Sequence, residues 1–457
     1  MGDRLTVIGT GYLGLTHAVC MADLGHDVLG LDADADKIRR TAHGEVPFFE
    51  PGLEPLLRKH VDAGRLRFTT SFAEAASFGD VHFLCVGTPQ AADGSADLRH
   101  LHAAADALAA GLRRPCLVVG KSTVPVGTAR ALAAQIARRA PAGARAGLAW
   151  NPEFLREGFA VEDSLAPSRL VFGVTGRRSA AVLRHVYAKI LASGVEALVM
   201  DLETAELVKV CANAFLATKI SFINAVAEMC EQAGADVVRL ADALGRDDRI
   251  GGRFLVPGLG FGGGCLPKDI RAFQCAARAL GVESLVSWLG EVDAINQRRR
   301  SRVTELARDA VGGSLAGRKI AVLGLSFKPG SDDVRDSPSL DVCARLLGAG
   351  AIVSAHDPVA MANAARILPG LRYAGSVPEA AANAEAVLHL TEWADYRGID
   401  PAMLGTVVAR RNMVDARCAL DEAAWRSAGW SFRVPGRPSQ SALSHLVPMG
   451  ESVPADA

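Results

Sequence analysis

The sequence has no net charge: 50 basic residues face 50 acidic ones along 457 residues. That balance argues against a nucleic-acid polyanion or a charged membrane surface as partner. CxxC pairs and Cys/His clusters at ligand spacing are also missing, so neither a structural zinc nor any other metal is expected. The nine cysteines are odd in number and follow no spaced framework. They read as reduced thiols in a cytoplasmic protein, not as disulfides. No apolar run approaches the roughly 18 residues of a membrane helix. No signal-peptide pattern precedes the first apolar segment, Leu5-Thr6-Val7-Ile8.

What is present is a long chain with room for two or three domains. Its first 200 or so residues alternate short apolar strands with helical stretches. Leu5–Gly9, Asp27–Asp32, Val81–Val86 and Cys116–Gly120 read as buried strands, and such alternation predicts a doubly wound parallel sheet. From about Glu203 to Ala233 the pattern becomes one long apolar helix without Gly or Pro, ending at Gly234. A helical middle follows to about residue 300. The α/β pattern returns at Lys319–Leu325 and Ala351–His356. The expected architecture is therefore two Rossmann-like parallel-sheet domains, 1–200 and 317–433, joined by a helical domain, 201–300, with one long central helix. A helix so apolar buries two faces, and one of them is expected to meet a partner subunit. Residues 434–457 are rich in Pro, Ser and Ala and read as a disordered tail.

Gly9-Thr10-Gly11-Tyr12-Leu13-Gly14 follows a strand and opens a helix, and Asp32 ends the next strand. In that context the glycine pattern is a dinucleotide site. The glycines let a pyrophosphate approach the backbone, and the helix N-terminus favours its charge. Asp32 would accept from a ribose 2′-hydroxyl and repel a 2′-phosphate, so NAD is expected rather than NADP. Tyr12, Leu13 and Lys37 belong to the same neighbourhood. Thr88-Pro89 and Ser122-Thr123 end later strands of the sheet, where ligands bind in such folds.

The second concentration of chemistry is Gly260-Phe261-Gly262-Gly263-Gly264-Cys265-Leu266-Pro267-Lys268-Asp269. It sets one cysteine between a glycine loop and a predicted helix, 266–280. The helix dipole and Lys268 both favour a thiolate there, making Cys265 a candidate nucleophile. On the long helix, Glu206, Lys209 and Asn213 share a face amid apolar neighbours. A Lys and an Asn buried beside a cleft could stabilise an oxyanion. Glu153, between Pro152 and Phe154, is expected to be partly desolvated, with a raised pKa suited to base work.

This set of motifs resembles the nucleotide-sugar 6-dehydrogenases that oxidise a hexose C6 alcohol to a carboxylate with two NAD. The resemblance runs from about residue 4 to 420. It rests on Gly9–Gly14, Glu50-Pro51-Gly52-Leu53, Val86–Pro89, Ser122–Thr128, Asn151–Gly158, Lys209–Leu216, Asp248–Gly251, Gly260–Asp269 and Phe327–Arg335, in the expected order. It implies a four-electron oxidation through a thiohemiacetal and a thioester on Cys265. Asp269, with a water and Thr123, would move the proton of the C6 hydroxyl. Lys209 and Asn213 would stabilise the alkoxide and tetrahedral intermediates, and Glu153 would serve in thioester hydrolysis. Phe154, Leu155 and Glu157 would line the approach of sugar and second cofactor, with Phe261 and Gly262 beside the sugar. Phe327 and Lys328 would meet the nucleotide sugar, and Arg335 and Lys268 would meet NAD. Arg249 would reach into a partner's substrate site, which makes a homodimer through the central helices the expected assembly.

Gly264 stands where the family usually has serine, Leu266 where it has Phe, and Phe159 where it has a small or polar residue. These departures touch the substrate end. The segments Asn213–Leu216 and Asp248–Ile250 look like the UDP-glucose type and stand against GDP-mannose, so oxidation of UDP-glucose to UDP-glucuronate is expected, with GDP-mannose or a UDP-N-acetylhexosamine as the alternative substrate. Rival readings are a one-step β-hydroxyacid dehydrogenase, which needs neither the cysteine nor the C-terminal repeat, and a catalytically silent NAD sensor.

Overall fold

The computed structural model describes residues 2–437. The chain divides into two compact units. One comprises Met1–Ala214, Lys268–Leu289 and Gly330–Asp332. The other comprises Phe215–Pro267, Gly290–Pro329 and Asp333 onward.

The first unit is built on an eight-stranded sheet. Its strands are β1 (Arg4–Ile8), β2 (Asp27–Leu31), β3 (Leu66–Thr69), β4 (Val81–Leu84), β5 (Cys116–Gly120), β6 (Ala146–Trp150), β7 (Leu170–Val174) and β8 (Ala197–Met200). The spatial order is β3-β2-β1-β4-β5-β6-β7-β8. Strand β1 lies between β2 and β4, and this reversal of winding direction makes the crevice where such folds take ligands. The strands are apolar almost throughout because both faces are covered. All four residues of β4 are buried, as expected for a sheet flanked by helices on two sides. The one polar member there, His82, bonds Thr6 Oγ1 at 2.6 Å, and burial lowers its pKa to about 3. One pairing departs from the parallel plan. β6 and β7 run antiparallel, Ala149 opposite Val174 and Trp150 opposite Gly173.

The second unit holds a six-stranded, fully parallel sheet. Its strands are β9 (Lys319–Leu323), β10 (Ile352–His356), β11 (Arg372–Tyr373), β12 (Ala386–His389), β13 (Asn412–Asp415) and β14 (Ser431–Arg433), in the order β11-β10-β9-β12-β13-β14. This is the same winding around β9 as around β1. Asp357 follows β10 as Asp32 follows β2. Its Oδ2, however, already accepts from the N–H groups of Leu325 and Ser326, at 2.7 and 3.1 Å, and from the Trp393 indole at 3.3 Å. Its Oδ1 accepts from Val359 N and Ala360 N as well, at 3.0 and 2.8 Å, and the side chain is fully buried.

A helix of 32 residues, Leu202–Ala233, begins in the first unit and ends in the second. Gly234, at φ +75°, closes it in the left-handed conformation that suits glycine after a helix. Length and apolarity alone would let this helix cross a membrane, which the sequence reading did not foresee. Its polar positions answer to protein partners instead. Ser221 donates to Val292 O at 2.7 Å, and Lys219 donates to the carbonyls of Ile250 and Gly251 at 3.0 and 2.8 Å. None of the nine cysteines is joined in a disulfide. The start of the expected tail is ordered: Val434 is buried, Gly436 N donates to Glu231 Oε1 at 2.8 Å, and Arg437 pairs with Asp236 at 3.1 Å. The rest of it lies outside the described residues.

Candidate active site

Within the first unit, β1 passes through Gly9 (φ +89°) into helix Tyr12–Asp23. Gly11, at the N-cap, makes no side-chain cap, and a Cβ built on it would meet nothing within 4 Å. That open cradle at a helix N-terminus fits a pyrophosphate, and Leu13 lies in the turn above it. Asp32 Oδ2 accepts from Thr10 N at 2.9 Å and from Lys37 Nζ at 2.9 Å. Burial raises the Asp32 pKa, but Lys37 and the N–H donors outweigh it and hold the group ionised. These residues therefore fit the ribose and pyrophosphate of NAD.

Tyr12 points elsewhere. Its hydroxyl donates to Glu50, and burial followed by that carboxylate raises the phenol pKa. Glu50, itself buried, also accepts from Gly158 N and Ala160 N, each at 2.7 Å. It thus ties the glycine turn to the end of the Asn151–Gly158 segment. Glu50→Gln keeps the shape but replaces a carboxylate with three donors by an amide. We expect a loss of about 2–3 kcal/mol in urea unfolding; an unchanged midpoint would show that Glu50 holds nothing.

The loops after β4 and β5 are bonded to each other. Thr88 Oγ1 donates to Thr123 O at 2.8 Å and Ser122 Oγ to Val86 O at 2.6 Å, with Pro89 directly after. Lys121, which the sequence reading passed over, is buried and donates to Asn151 Oδ1 at 2.9 Å. Burial lowers its pKa to about 8. It joins the end of β5 to the segment that carries Glu153.

The long helix then contributes its polar face. Lys209 Nζ lies 2.9 Å from Glu153 Oε1 and 5.6 Å above the Phe154 ring. Glu153 Oε2 also accepts from Leu155 N at 2.6 Å. The carboxyl flanked by Pro152 and Phe154 is largely buried, and it is one half of an ion pair. Asn213 Nδ2 donates to Asp269 Oδ2 at 2.6 Å, and Lys268 Nζ to Asp269 Oδ1 at 2.6 Å. Lys268, expected as counter-charge to the thiol, is engaged with its neighbour. Glu206 completes this face; burial pushes it up to about 7, against two backbone N–H groups that pull it down. A cavity of about 280 Å³ is lined by Thr123, Val124, Val210, Lys268, Asp269 and Phe273 among others. Glu157 accepts from Ser331 Oγ at 3.0 Å.

Within the second unit, the glycine loop is held from several sides. Asn296, buried, accepts from Phe261 N at 2.8 Å and donates to Phe261 O at 2.9 Å. Arg417 donates to Gly260 O at 2.9 Å and to Phe327 O at 3.3 Å. Neither residue stood out in the sequence, because each meets the loop from far along the chain. Gly262 lies against Asp336 O and Gly263 against the Phe327 ring. Arg335, gripped by Asp333 at 2.9 and 2.7 Å, covers Gly264, where an added Cβ would stand 2.3 Å from the guanidinium carbon. The glycine at position 264 thus accompanies a close arginine. Cys265, exposed, directly precedes helix Leu266–Ala279. Lys328 Nζ sits 5.5 Å over the Phe327 ring. The Arg249 guanidinium is exposed and bonded to Asp247 in its own chain.

Three consecutive stretches match one family. Residues 3–191 match the NAD binding domain of the UDP-glucose/GDP-mannose dehydrogenase family, residues 203–298 its central domain, and residues 321–422 its UDP binding domain. The chain is 42% identical over 438 residues to the UDP-glucose 6-dehydrogenase of Rhizobium meliloti (strain 1021), covering 95% of this chain and 100% of that one. It is 41% identical over 445 residues to that of Pseudomonas aeruginosa, covering 95% and 98%. Among solved structures, a UDP-glucose dehydrogenase from Pyrobaculum islandicum superposes with a TM-score of 0.87 at 39% identity, over 94% of this chain and 98% of that one. A UDP-D-ManNAc dehydrogenase from Pyrococcus horikoshii gives 0.83 at 25% identity, over 95% and 99%. With a glycine cradle and ribose acid suited to NAD, the chain belongs to the UDP-glucose/GDP-mannose dehydrogenase family.

Proposed function

We propose that this protein oxidises the C6 hydroxyl of UDP-glucose to the carboxylate, giving UDP-glucuronate through a cysteine-bound intermediate. The observation that carries the reading is the buried face of the long helix, where Lys209 meets Glu153 and Asn213 meets Asp269. Bound NAD would accept a hydride from C6, twice per sugar. Asp269, with Thr123 and a water, takes the hydroxyl proton as the aldehyde forms. An aldehyde cannot give up a second hydride until a nucleophile adds to it. The Cys265 thiol adds, giving a thiohemiacetal tethered to the chain. Its oxidation leaves a thioester, and water displaces the thiol to release the acid, with Glu153 accepting the water's proton. Lys209 and Asn213 donate to the oxygen that carries charge in the alkoxide and in both tetrahedral species.

The preference for UDP-glucose rests on relatives of that name at about 40% identity along nearly the whole chain. We further propose a homodimer through the central helices. Phe215, Phe222 and Met229 recur every seventh position of the long helix and are exposed, an apolar stripe suited to a partner. Arg249 would then exchange Asp247 for the partner's substrate. Nine cysteines without a disulfide fit a cytoplasmic protein.

The test is the stoichiometry of NADH with UDP-glucose, GDP-mannose and UDP-N-acetylhexosamines in parallel. Two NADH per UDP-glucose, with UDP-glucuronate as product, is the expected result. One NADH per substrate, or turnover of another sugar alone, would overturn the reading.

A further inference from the structure

Glu206 has no role in the chemistry above, yet it is buried at 2% exposure on the face that carries Lys209 and Asn213. Its two oxygens are divided between two donors of another element. Oε2 accepts from Gly127 N at 2.7 Å and Oε1 from Ala129 N at 2.6 Å. These N–H groups stand at the start of helix Thr128–Arg139, with Gly127, at φ +92°, as its N-cap. A helix start leaves such groups without internal partners, and a carboxylate satisfies them with charge of the favoured sign.

The position of that helix start matters because of what precedes it. The Ser122–Thr128 segment carries Thr123. Its upstream end is bonded to the β4 loop through Ser122 to Val86 and Thr88 to Thr123 O. Its downstream end is closed by Thr128 Oγ1 donating to Pro125 O at 2.6 Å and by Glu206. Glu206 is therefore a buried strut from the long helix to the Thr123 loop. The nearby pair Arg130 and Glu203 joins the same two helices at 2.5 Å, but on the exposed side, where such a pair contributes little.

We propose that Glu206 is a positioning residue, setting the Thr123 loop at a fixed distance from the helix face that presents Lys209 and Asn213. The proposal rests on the function given above, and its test separates the two. Glu206→Gln keeps the volume but offers one acceptor and turns an amide N–H toward the other donor. Hydrogen exchange of the intact protein, which needs no substrate, is expected to speed by about tenfold at residues 122–129 and nowhere else. With UDP-glucose and NAD, kcat is expected to fall by about thirty- to a hundredfold, the scale of a misplaced catalytic group. The KM for UDP-glucose should stay within about twofold, which general unfolding would not allow. Glu206→Asp, too short to span both N–H groups, carries the same expectation if the glutamine variant does not fold. Unchanged exchange at 122–129 would overturn the strut, whatever the substrate proves to be. Faster exchange with unchanged kcat would overturn its catalytic importance. Failure of the wild-type protein to oxidise UDP-glucose would refute the function and leave the exchange result to decide the strut.

Discussion

Replacing Cys265 by serine is expected to reduce turnover of UDP-glucose by at least about a thousandfold, with NAD affinity unchanged. A thiol is a few per cent ionised at neutral pH and intrinsically nucleophilic, whereas a serine hydroxyl without an adjacent base is neither. Cys265 follows a glycine loop whose carbonyls and N–H groups are held by Asn296 and Arg417. No such held loop surrounds any other exposed cysteine among the described residues. The NAD cradle, Gly9–Gly14 with Asp32, is built from other segments of the chain. It should be untouched by the exchange. The first hydride transfer needs no thiol, so the variant is expected to retain at most the two-electron step. Rapid mixing with NAD and UDP-glucose, followed by NADH absorbance, distinguishes that step from full turnover; near-normal steady-state rates would refute the covalent mechanism. Alkylation offers a second measurement on the wild-type protein. Burial pushes the Cys20, Cys85 and Cys343 thiols up to about 12, which leaves them unreactive at neutral pH. Loss of activity on brief alkylation should follow modification of Cys265.

Two glycines of the same fingerprint are expected to fail in different ways. An alanine at Gly14 would place Cβ 1.7 Å from Gly9 O and 3.1 Å from Cys85 Cβ. The carbonyl cannot withdraw, because Gly9 is held at φ +89° with its N–H bonded to Leu31 O at 2.7 Å. Helix Tyr12–Asp23 must lift from the sheet, at a cost of about 3 kcal/mol or more. Gly14→Ala is therefore expected to unfold at a lower temperature and to bind NAD poorly as a consequence. Gly11 is open to within 4 Å and sits at φ −71°, which alanine also adopts. Gly11→Ala should keep wild-type stability to within about 0.5 kcal/mol, while its methyl group occupies the cradle. An NAD affinity lower by about tenfold or more is expected there. Thermal unfolding and calorimetric NAD titration of both variants check the pair. A Gly11→Ala protein that binds NAD normally would remove the pyrophosphate from this turn.

Much of the candidate chemistry of each unit was legible because its signals are local. The glycine turn, Asp32 beyond the next strand and Cys265 at a helix start are spaced by the geometry of single elements, and spacing survives in sequence. The stripe of Glu206, Lys209 and Asn213 was legible for the same reason, since residues three and four apart on a helix share a face. Their partners were not. Pro152 and Phe154 beside Glu153 name no partner for it, and only the fold brought Lys209 within 2.9 Å. Glu50 bonds Gly158 across 108 positions of chain, and Arg417 reaches Gly260 across 157. No periodicity connects residues so far apart.

The amino-acid sequence by itself determined the two Rossmann-like sheets, the long helix that separates them along the chain, and a glycine turn with an acid suited to NAD. Each of these follows from apolar periodicity, backbone freedom at glycine or charge at a set offset. The tertiary structure decided the rest. It turned β7 against β6, closed Asp357 of the second repeat on Trp393 and ordered Val434–Arg437 against Glu231 and Asp236. It also converted a stripe of three polar side chains into a paired lysine, a paired asparagine and a strut. The physical reason is that a buried polar group must find its partner wherever the packing brings one, and packing joins segments that the sequence keeps apart.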